Sequence, residues 1–418
     1  KRDEFADYWA MKWCDLLRVK AEFPVNLWPN PAQAYHRLVH KCMADNLSMD
    51  RFARGLLTAS GSNMRVPQAN FFRAVQNREP RSLAAAVSLV FMGVRQDSWT
   101  PAELDSLAVF FSRVGYKSTM EWKEEIVFFD ETKPAAKDPV QMPDGQMVSI
   151  PPERDPRAVF ADWLIQPNNP WFARNLANRA WYWLLGRGLI HEADDVRKNN
   201  PPSHPELLAY LAKEFVSHGY DMRHLFRLIV NSRTYQLSCI PSGDNPRALE
   251  LFGAYPIRRL DAEVLIDAIC AVTGTSESYT SAIPEPFTFL PDGSRAIALP
   301  DGSISSSFLE LFGRPARDSG YESERNSNPS AAQRLHFLNS SQIRSKIEKS
   351  TSLTKLLRNA GAPNNTATQL YMDILCRPPT EAEKSLVREV LGAATNRKEA
   401  LIDLTWALFN TTEFLCRH

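Results

Sequence analysis

Between Asn169 and Ser238 the chain reads NPWFARNLANRAWYWLLGRGLIHEADDVRKNNPPSHPELLAYLAKEFVSHGYDMRHLFRLIVNSRTYQLS, with amphipathic helical patterning in three successive runs. Phe172, Leu176, Ala180, Trp183 and Leu184 fall on one face, and Met222, Leu225, Phe226 and Ile229 repeat the spacing further on. Side chains of a strand alternate between two faces, so a stripe at this period is buried only by helix packing. The pattern returns at Phe5, Trp9, Leu16 and Leu17, and at Tyr35, Leu38, Val39 and Cys42. A mainly α, multi-helical fold follows.

Helix starts are written in the same way. Asn or Asp precedes Pro at Asn30, Asp155, Asn169, Asn245 and Asn328, pairing a side chain that caps free N–H groups with a residue suited to the first turn. Capping boxes are expected at Thr100 with Glu103, Ser203 with Glu206, and Thr380 with Glu383. Gly186-Arg187-Gly188 reads as a helix C-terminus.

Two stretches interrupt the helices. Residues 126–154 carry Pro, Lys and Asp with a hairpin signal at Asp144-Gly145, which predicts a linker containing a short hairpin. It separates an N-terminal helical domain, 1–125, from a C-terminal helical domain, 155–418. Within the latter, residues 275–330 are rich in Ser, Pro and Gly, and Phe287–Leu290 and Ala296–Leu299 flank Pro291-Asp292-Gly293 as the arms of a second hairpin.

At 418 residues the chain is long enough for more than one core. A formal net charge of +1 gives no basic stripe for nucleic acid. The longest apolar run, from Leu83 to Val94, is too short to span a bilayer, which needs roughly 20 residues. The chain starts at Lys1 without a signal peptide; either a leader and further sequence were removed or the chain was cut there. None of the six cysteines forms a Cys-x-x-Cys pair, so neither a zinc site nor a haem attachment site is written locally. Buried thiols are expected, with a Cys239–Cys416 disulfide as the alternative.

The polar residues of the 169–238 stretch are the candidate chemistry. Asn175, Asn178 and Arg179 lie together on one helix face, where Asn is a poor helix former. They either meet a ligand or pin the Asp194–Asn200 connection. Asp194 and Asp195, set against Glu322 and Glu324, are the candidate acid and base for glycosidic cleavage; the alternative is ion pairing to Arg197, Arg233 or Arg325. His204 is a minor candidate base, and with Arg197, Arg233, Tyr235 and Arg325 it joins the ligand-binding candidates. Trp171, at a helix entrance, is the tryptophan to watch as a sugar-stacking platform, although Trp163, Trp181 and Trp183 read as core. His191, His224 and His336 are too dispersed in sequence to argue a metal triad, and neither a metal nor a cofactor is expected.

Ordered segments along the chain carry a resemblance. KWCDLLR (12–18), LLTASG (56–61) and FMGVR (91–95) resemble the first conserved domain of planctomycete-type secreted proteins. NPWFARNLANRAW, GRGL, DDVRKNNPPSHPELL, SRTYQLS, RRLDAEVLIDAIC, FGRPAR, LHFLNS and RPPTEAE resemble the second. Such chains pair two domains of unknown function, often behind a cytochrome c module. Two departures stand out. Relatives place a Cys-x-x-Cys-His-x-His-Pro motif after FMGVR, where this chain runs through Gln96-Asp97-Ser98-Trp99 into the Thr100-capped helix. Their Cys-Glu-Cys-Glu-Arg loop is here Tyr321-Glu322-Ser323-Glu324-Arg325.

The resemblance implies a periplasmic, extracellular or cell-surface location. It also implies a non-haem binding or scaffold role in polysaccharide handling, beside a sulfatase-like secreted partner. A carbohydrate-active hydrolase or lyase with paired carboxylates is the alternative, and a docking partner of a cytochrome the third.

Overall fold

Helices dominate the computed structural model, which describes residues 2–241, 243–359 and 363–417. The first ten are α1 (Asp3–Leu16), α2 (Pro29–Ala44), α3 (Met49–Leu57), α4 (Asn70–Arg73), α5 (Pro80–Val87), α6 (Pro101–Val109), α7 (Pro156–Leu164), α8 (Phe172–Leu185), α9 (Pro205–Ser217) and α10 (Met222–Val230). Their apolar stripes meet in one core that draws on residues from Ala6 to Tyr255. Trp9 shows the logic: it stacks on Phe226 of α10 at 4.0 Å and touches Trp183 of α8 at 5.6 Å, so α1 closes over both.

A second core runs from Ala262 to Phe414. It is built by α11 (Ala262–Thr273), α12 (Ser307–Leu311), α13 (Ala331–Asn339), α14 (Ser341–Glu348), α15 (Thr351–Asn359), α16 (Pro363–Leu375), α17 (Glu381–Ala393), α18 (Arg397–Phe409) and α19 (Thr412–Leu415). The mainly α, multi-helical reading of the sequence is the observed fold.

Strands are short. β1 (Gly61–Ser62), β3 (Glu125–Phe129) and β2 (Val114–Ser118) form an antiparallel sheet in that order, with Tyr116 and Gly61 both opposite Val127. Within 126–154 the chain completes β3 and then turns at Asp144-Gly145 between β4 (Val140–Gln141) and β5 (Met147–Val148), the expected hairpin. Val127, Val140, Met142 and Ile150 all enter the first core. Last, β6 (Arg258–Arg259) pairs with β7 (Cys416–Arg417), Arg258 opposite Arg417. This ladder fixes the segment that leads into α11.

Several local expectations are corrected. The second hairpin does not form among the described residues: Ala296–Ala298 winds into a 3-10 turn instead. Its N–H groups are taken by the Asp267 carboxylate, 2.7 Å from Ala296 N and 3.1 Å from Ile297 N, and are not available to a partner strand. The Ser203–Glu206 box is also absent. The Ser203 N–H donates to Leu189 O at 2.7 Å and the Ser203 hydroxyl meets His204 Nδ1, leaving His204 as the position before α9. Thr100 and Thr380 form their boxes.

Of the Asx-Pro signals, Asp155 caps α7 directly. Asn169 acts across an extra residue, accepting from Trp171 and Phe172. Asn30 falls inside α2, Asn245 holds only a turn through Arg247 N, and beyond Asn328 the cap passes to Ser330. No disulfide joins the described cysteines, so the Cys239–Cys416 bond is not made. Burial pushes the Cys14 thiol up to about 12.

Asp267 supplies a test of this packing. Burial raises its carboxyl from 3.8 to about 6, against the two N–H donors that favour the charged form. A raised folded value means the folded chain holds the proton more tightly. The stabilisation is therefore full below about pH 4 and lost as pH rises through about 6, a swing of about 3 kcal/mol. Urea unfolding of the natural chain and Asp267→Asn should show a stability difference that moves by this amount across the window. A difference flat with pH refutes the assignment.

Candidate functional site

The site begins with three carbonyls. α5 runs on into a π-helical turn, Ser88–Met92, that ends at Gly93 with φ +68°. The last carbonyls of a helix lack partners in their own backbone. Here α8 supplies two: Asn175 Nδ2 donates to Val90 O at 3.1 Å, and Arg179 Nη2 donates to Leu89 O at 2.8 Å. Asn178 clamps Ile190 from both sides, accepting its N–H at 2.8 Å and donating to its carbonyl at 3.0 Å. The three polar residues are fully buried and hold the connection that leads to Asp194. Gly93 is required beneath them, because a Cβ there would lie 2.4 Å from Asn175 Oδ1.

Arg179 then organises two acids. Its Nη2 lies 2.6 Å from Asp194 Oδ1, and its Nη1 lies 3.1 Å from Glu322 Oε2. Asp194 Oδ2 accepts the Glu322 backbone N–H at 2.6 Å, and Glu322 Oε1 accepts Trp183 Nε1–H at 2.9 Å. Asp194 is wholly buried with both oxygens engaged. The two carboxylates thus sit on one guanidinium rather than on opposite walls. Burial raises the Glu322 carboxyl, Arg179 opposes the rise, and the neighbouring Asp194 charge adds to it.

Glu322 opens onto a cleft of about 550 Å³ where the two cores meet. Its walls are Lys12 of α1, Tyr182 and Trp183 of α8, His191–Ala193, Arg258, Arg259, Asp261 and Arg325. A smaller neighbouring cavity, which shares Arg258, Arg259 and Asp261, adds Tyr8 and Arg417. Asp261 accepts from Tyr8 Oη–H and faces Lys12 Nζ, both at 3.0 Å. Burial would raise its carboxyl, but Lys12 and Arg325 outweigh burial and hold it below the ordinary range. The cleft therefore carries one carboxyl biased toward the acid and one toward the carboxylate.

Arg325 ties the walls together. It lies 2.8 Å from Asp15 Oδ2 of α1 and 2.7 Å from Glu263 Oε2 of α11. Arg317 reaches the other Asp15 oxygen at 2.9 Å. Arg258 and Arg259 are different: their partners are carbonyls. Arg258 Nη2 donates to Trp183 O and Leu184 O at 2.7 and 2.8 Å, and Arg259 Nη2 donates to Phe312 O at 2.6 Å. Each keeps a buried Nε without a protein partner among the described residues.

The other sequence candidates lie elsewhere. Asp195 pairs with Arg197 at 2.9 Å and anchors Asn200 at 3.1 Å. Glu324 Oε1 accepts the N–H groups of Asp318 and Ser319, shaping the loop below the cleft. His204 stands by Ser203 and Phe252, and Tyr235 packs edge-on against Tyr255. Arg233 is exposed, and its guanidinium has no partner among the described residues. Trp171 is half-buried between Trp99 and Trp163, at 6.3 and 5.7 Å. The exposed indole is Trp122, 61% accessible, edge-on to Trp28 at 4.9 Å and to Phe287 at 5.6 Å.

Reading by residue type passed over Lys12, Asp261, Arg258 and Arg259, although KWCDLLR and RRLDAEVLIDAIC, which carry them, were among the segments of resemblance.

No curated protein matches this chain, and no solved structure does. The family described as PSD1, protein of unknown function (DUF1553), matches residues 156–391, from the first residue of α7 into α17. The match takes in Arg179, Asp194, Arg258, Asp261 and Glu322, and spans more than half of the sequence: the chain belongs to the PSD1 (DUF1553) family.

Proposed function

We propose that this protein is a non-haem binding or scaffold component of extracellular polysaccharide handling, and that the cleft between its cores holds an anionic glycan. The observation that carries the reading is the pair Arg258 and Arg259: both line the cleft, and their hydrogen bonds go only to carbonyls. Asp261 lies within electrostatic reach of both but accepts a hydrogen bond from neither, which leaves the pair able to meet an anionic ligand, and a guanidinium fork suits carboxylate or sulfate oxygens. Arg417 extends the positive edge across the β6–β7 ladder. Trp122, which packs on Trp28 and Phe287 and does not line the cleft, offers a separate exposed ring for the sugar-stacking role first sought at Trp171. The resemblance to planctomycete-type secreted proteins, often joined to a cytochrome c module, is what favours a periplasmic or cell-surface location. A sulfatase-like secreted partner suits a sulfated glycan. Among the described residues no helix is long and apolar enough to cross a membrane.

Native electrophoresis through gels containing neutral, uronate-rich or sulfated polysaccharide tests the reading. Retardation is expected in the acidic gels, weakening with added salt. Arg258→Ala should weaken binding about tenfold, equivalent to about 1.4 kcal/mol. Arg233→Ala, which removes the same charge outside the cleft, should leave it unchanged. Migration unaffected by every polysaccharide ends the proposal.

A second reading rests on the opposed biases of Glu322 and Asp261 in one cleft, a pattern that assigns acid and base roles. As a hydrolase or lyase the protein would use Glu322 to protonate the leaving oxygen and Asp261 as base or nucleophile. Asp194 would then position Glu322 through its backbone N–H and Arg179. Incubation with any retarding polysaccharide should release reducing ends or unsaturated products, and Glu322→Gln should lower the rate about 10²-fold or more. Binding without turnover leaves the scaffold reading alone.

A further inference from the structure

α9 and α10 meet at a tight turn that gathers Glu214, His218 and His224. We infer that these three side chains form a binding site for a divalent transition-metal ion, zinc by preference. One ligating atom from each lies within 4.8 Å of the other two. Glu214 and His218 stand one helical turn apart at the end of α9, and His224 opens the first turns of α10. The two imidazoles stack with centroids 3.7 Å apart and planes at 12°. An imidazole lone pair lies in the plane of its ring, so the two rings tilt out of this stack to point at one ion.

The separations make the case. His218 Nδ1 lies 3.5 Å, and His224 Nε2 lies 3.9 Å, from the same Glu214 oxygen, Oε2. Both are too long for good hydrogen bonds. Two ligands of one tetrahedral zinc, each about 2.0–2.1 Å from the ion, stand about 3.4 Å apart, so each imidazole is within about half an ångström of its ligand distance to Glu214. His224 Nε2 is buried and has no hydrogen-bond partner among the described residues. An ion between it and Glu214 supplies the missing one.

His218 Nδ1 has competing contacts, the Glu214 carbonyl at 2.9 Å and Ser217 Oγ at 3.1 Å. It gives up both to become a ligand, and the carbonyl keeps His218 N–H at 3.1 Å and Ser217 Oγ–H at 3.0 Å as donors. The turn itself is pre-set. Gly219 and Tyr220 take φ of +64° and +57°, and the Tyr220 hydroxyl donates to Ile165 O at 2.8 Å. Asp221 caps α10 by accepting the His224 N–H at 3.0 Å. Two imidazoles and one carboxylate select zinc, nickel or copper over magnesium or calcium, which prefer oxygen, and leave a fourth position for water.

Calorimetric titration of the metal-stripped full chain with zinc chloride tests the site, and it is independent of the glycan reading. One saturable equivalent per chain is expected, with a raised Tm that a chelator reverses. His224→Gln should weaken binding about tenfold or more, and Glu214→Gln should do so as well. Glu214 is partly exposed, so the second variant remains informative if the first does not fold. Magnesium chloride should give no saturable signal. No zinc binding, or binding that both variants retain in full, overturns the site.

Discussion

Everything at the junction of the two cores depends on one guanidinium. Arg325 sits between Asp15 of the first helix and Glu263 of the eleventh, with Arg317 on the other Asp15 oxygen. Glu263 is completely buried. A carboxylate taken out of water is tolerated only while its partner remains, and removing one member of such a pair typically costs about 3–5 kcal/mol. The attraction between the ions is less important than the penalty for separating them. Apolar packing fills each core, but it is non-directional; the ionic fork sets the angle at which the cores meet and so the width of the cleft.

The same principle separates the two kinds of polar residue near that cleft. Asn175, Asn178 and Arg179 bond the backbone of the π-helical turn and the loop before Asp194, and Arg179 also holds Asp194 and Glu322, which makes them a frame. Glu322 and Asp261 stand at the end of that frame, biased in opposite directions by burial and by Lys12. Arg258 and Arg259 cap carbonyls and still leave donors unused. A group held rigidly, with part of its capacity unspent, is what a recognition site requires.

Much of this was legible in the sequence, and the exceptions have physical causes. Helices follow from the period of residues such as Trp9, Leu176 and Phe226, because one face must be buried. The polar cluster of α8 was visible as Asn in a poor position; of the Asp194–Asn200 connection that one reading named, Arg179 reaches Asp194, while Asn178 holds Ile190 ahead of it. Asp194 and Glu322 were both singled out. That they share Arg179 was not legible, because the pairing spans 128 residues and nothing local encodes it. The expected hairpin at 287–299 failed for a similar reason: a distant carboxylate, Asp267, captured the N–H groups that an arm would have used. Lys12 and Asp261 look like ordinary surface charges until α1 and α11 are brought together. The metal candidates His218 and Glu214 are close in sequence, yet the set was missed because the histidines were weighed for sequence spread and not for the turn that folds α10 back on α9.

The β6–β7 ladder sets an order of events. Arg258 pairs with Arg417, and Asp15 with residues about three hundred positions away, so both edges of the cleft are made from contacts remote in sequence. Closing such loops is entropically slow, and local helices form well before them. A growing chain can therefore bury most of its first core while the recognition surface does not yet exist. Until residues 261, 317 and 325 are in place, Lys12 and Asp15 face water without their partners, and until residue 417 is in place the Arg258 edge of the cleft has no ladder to hold it.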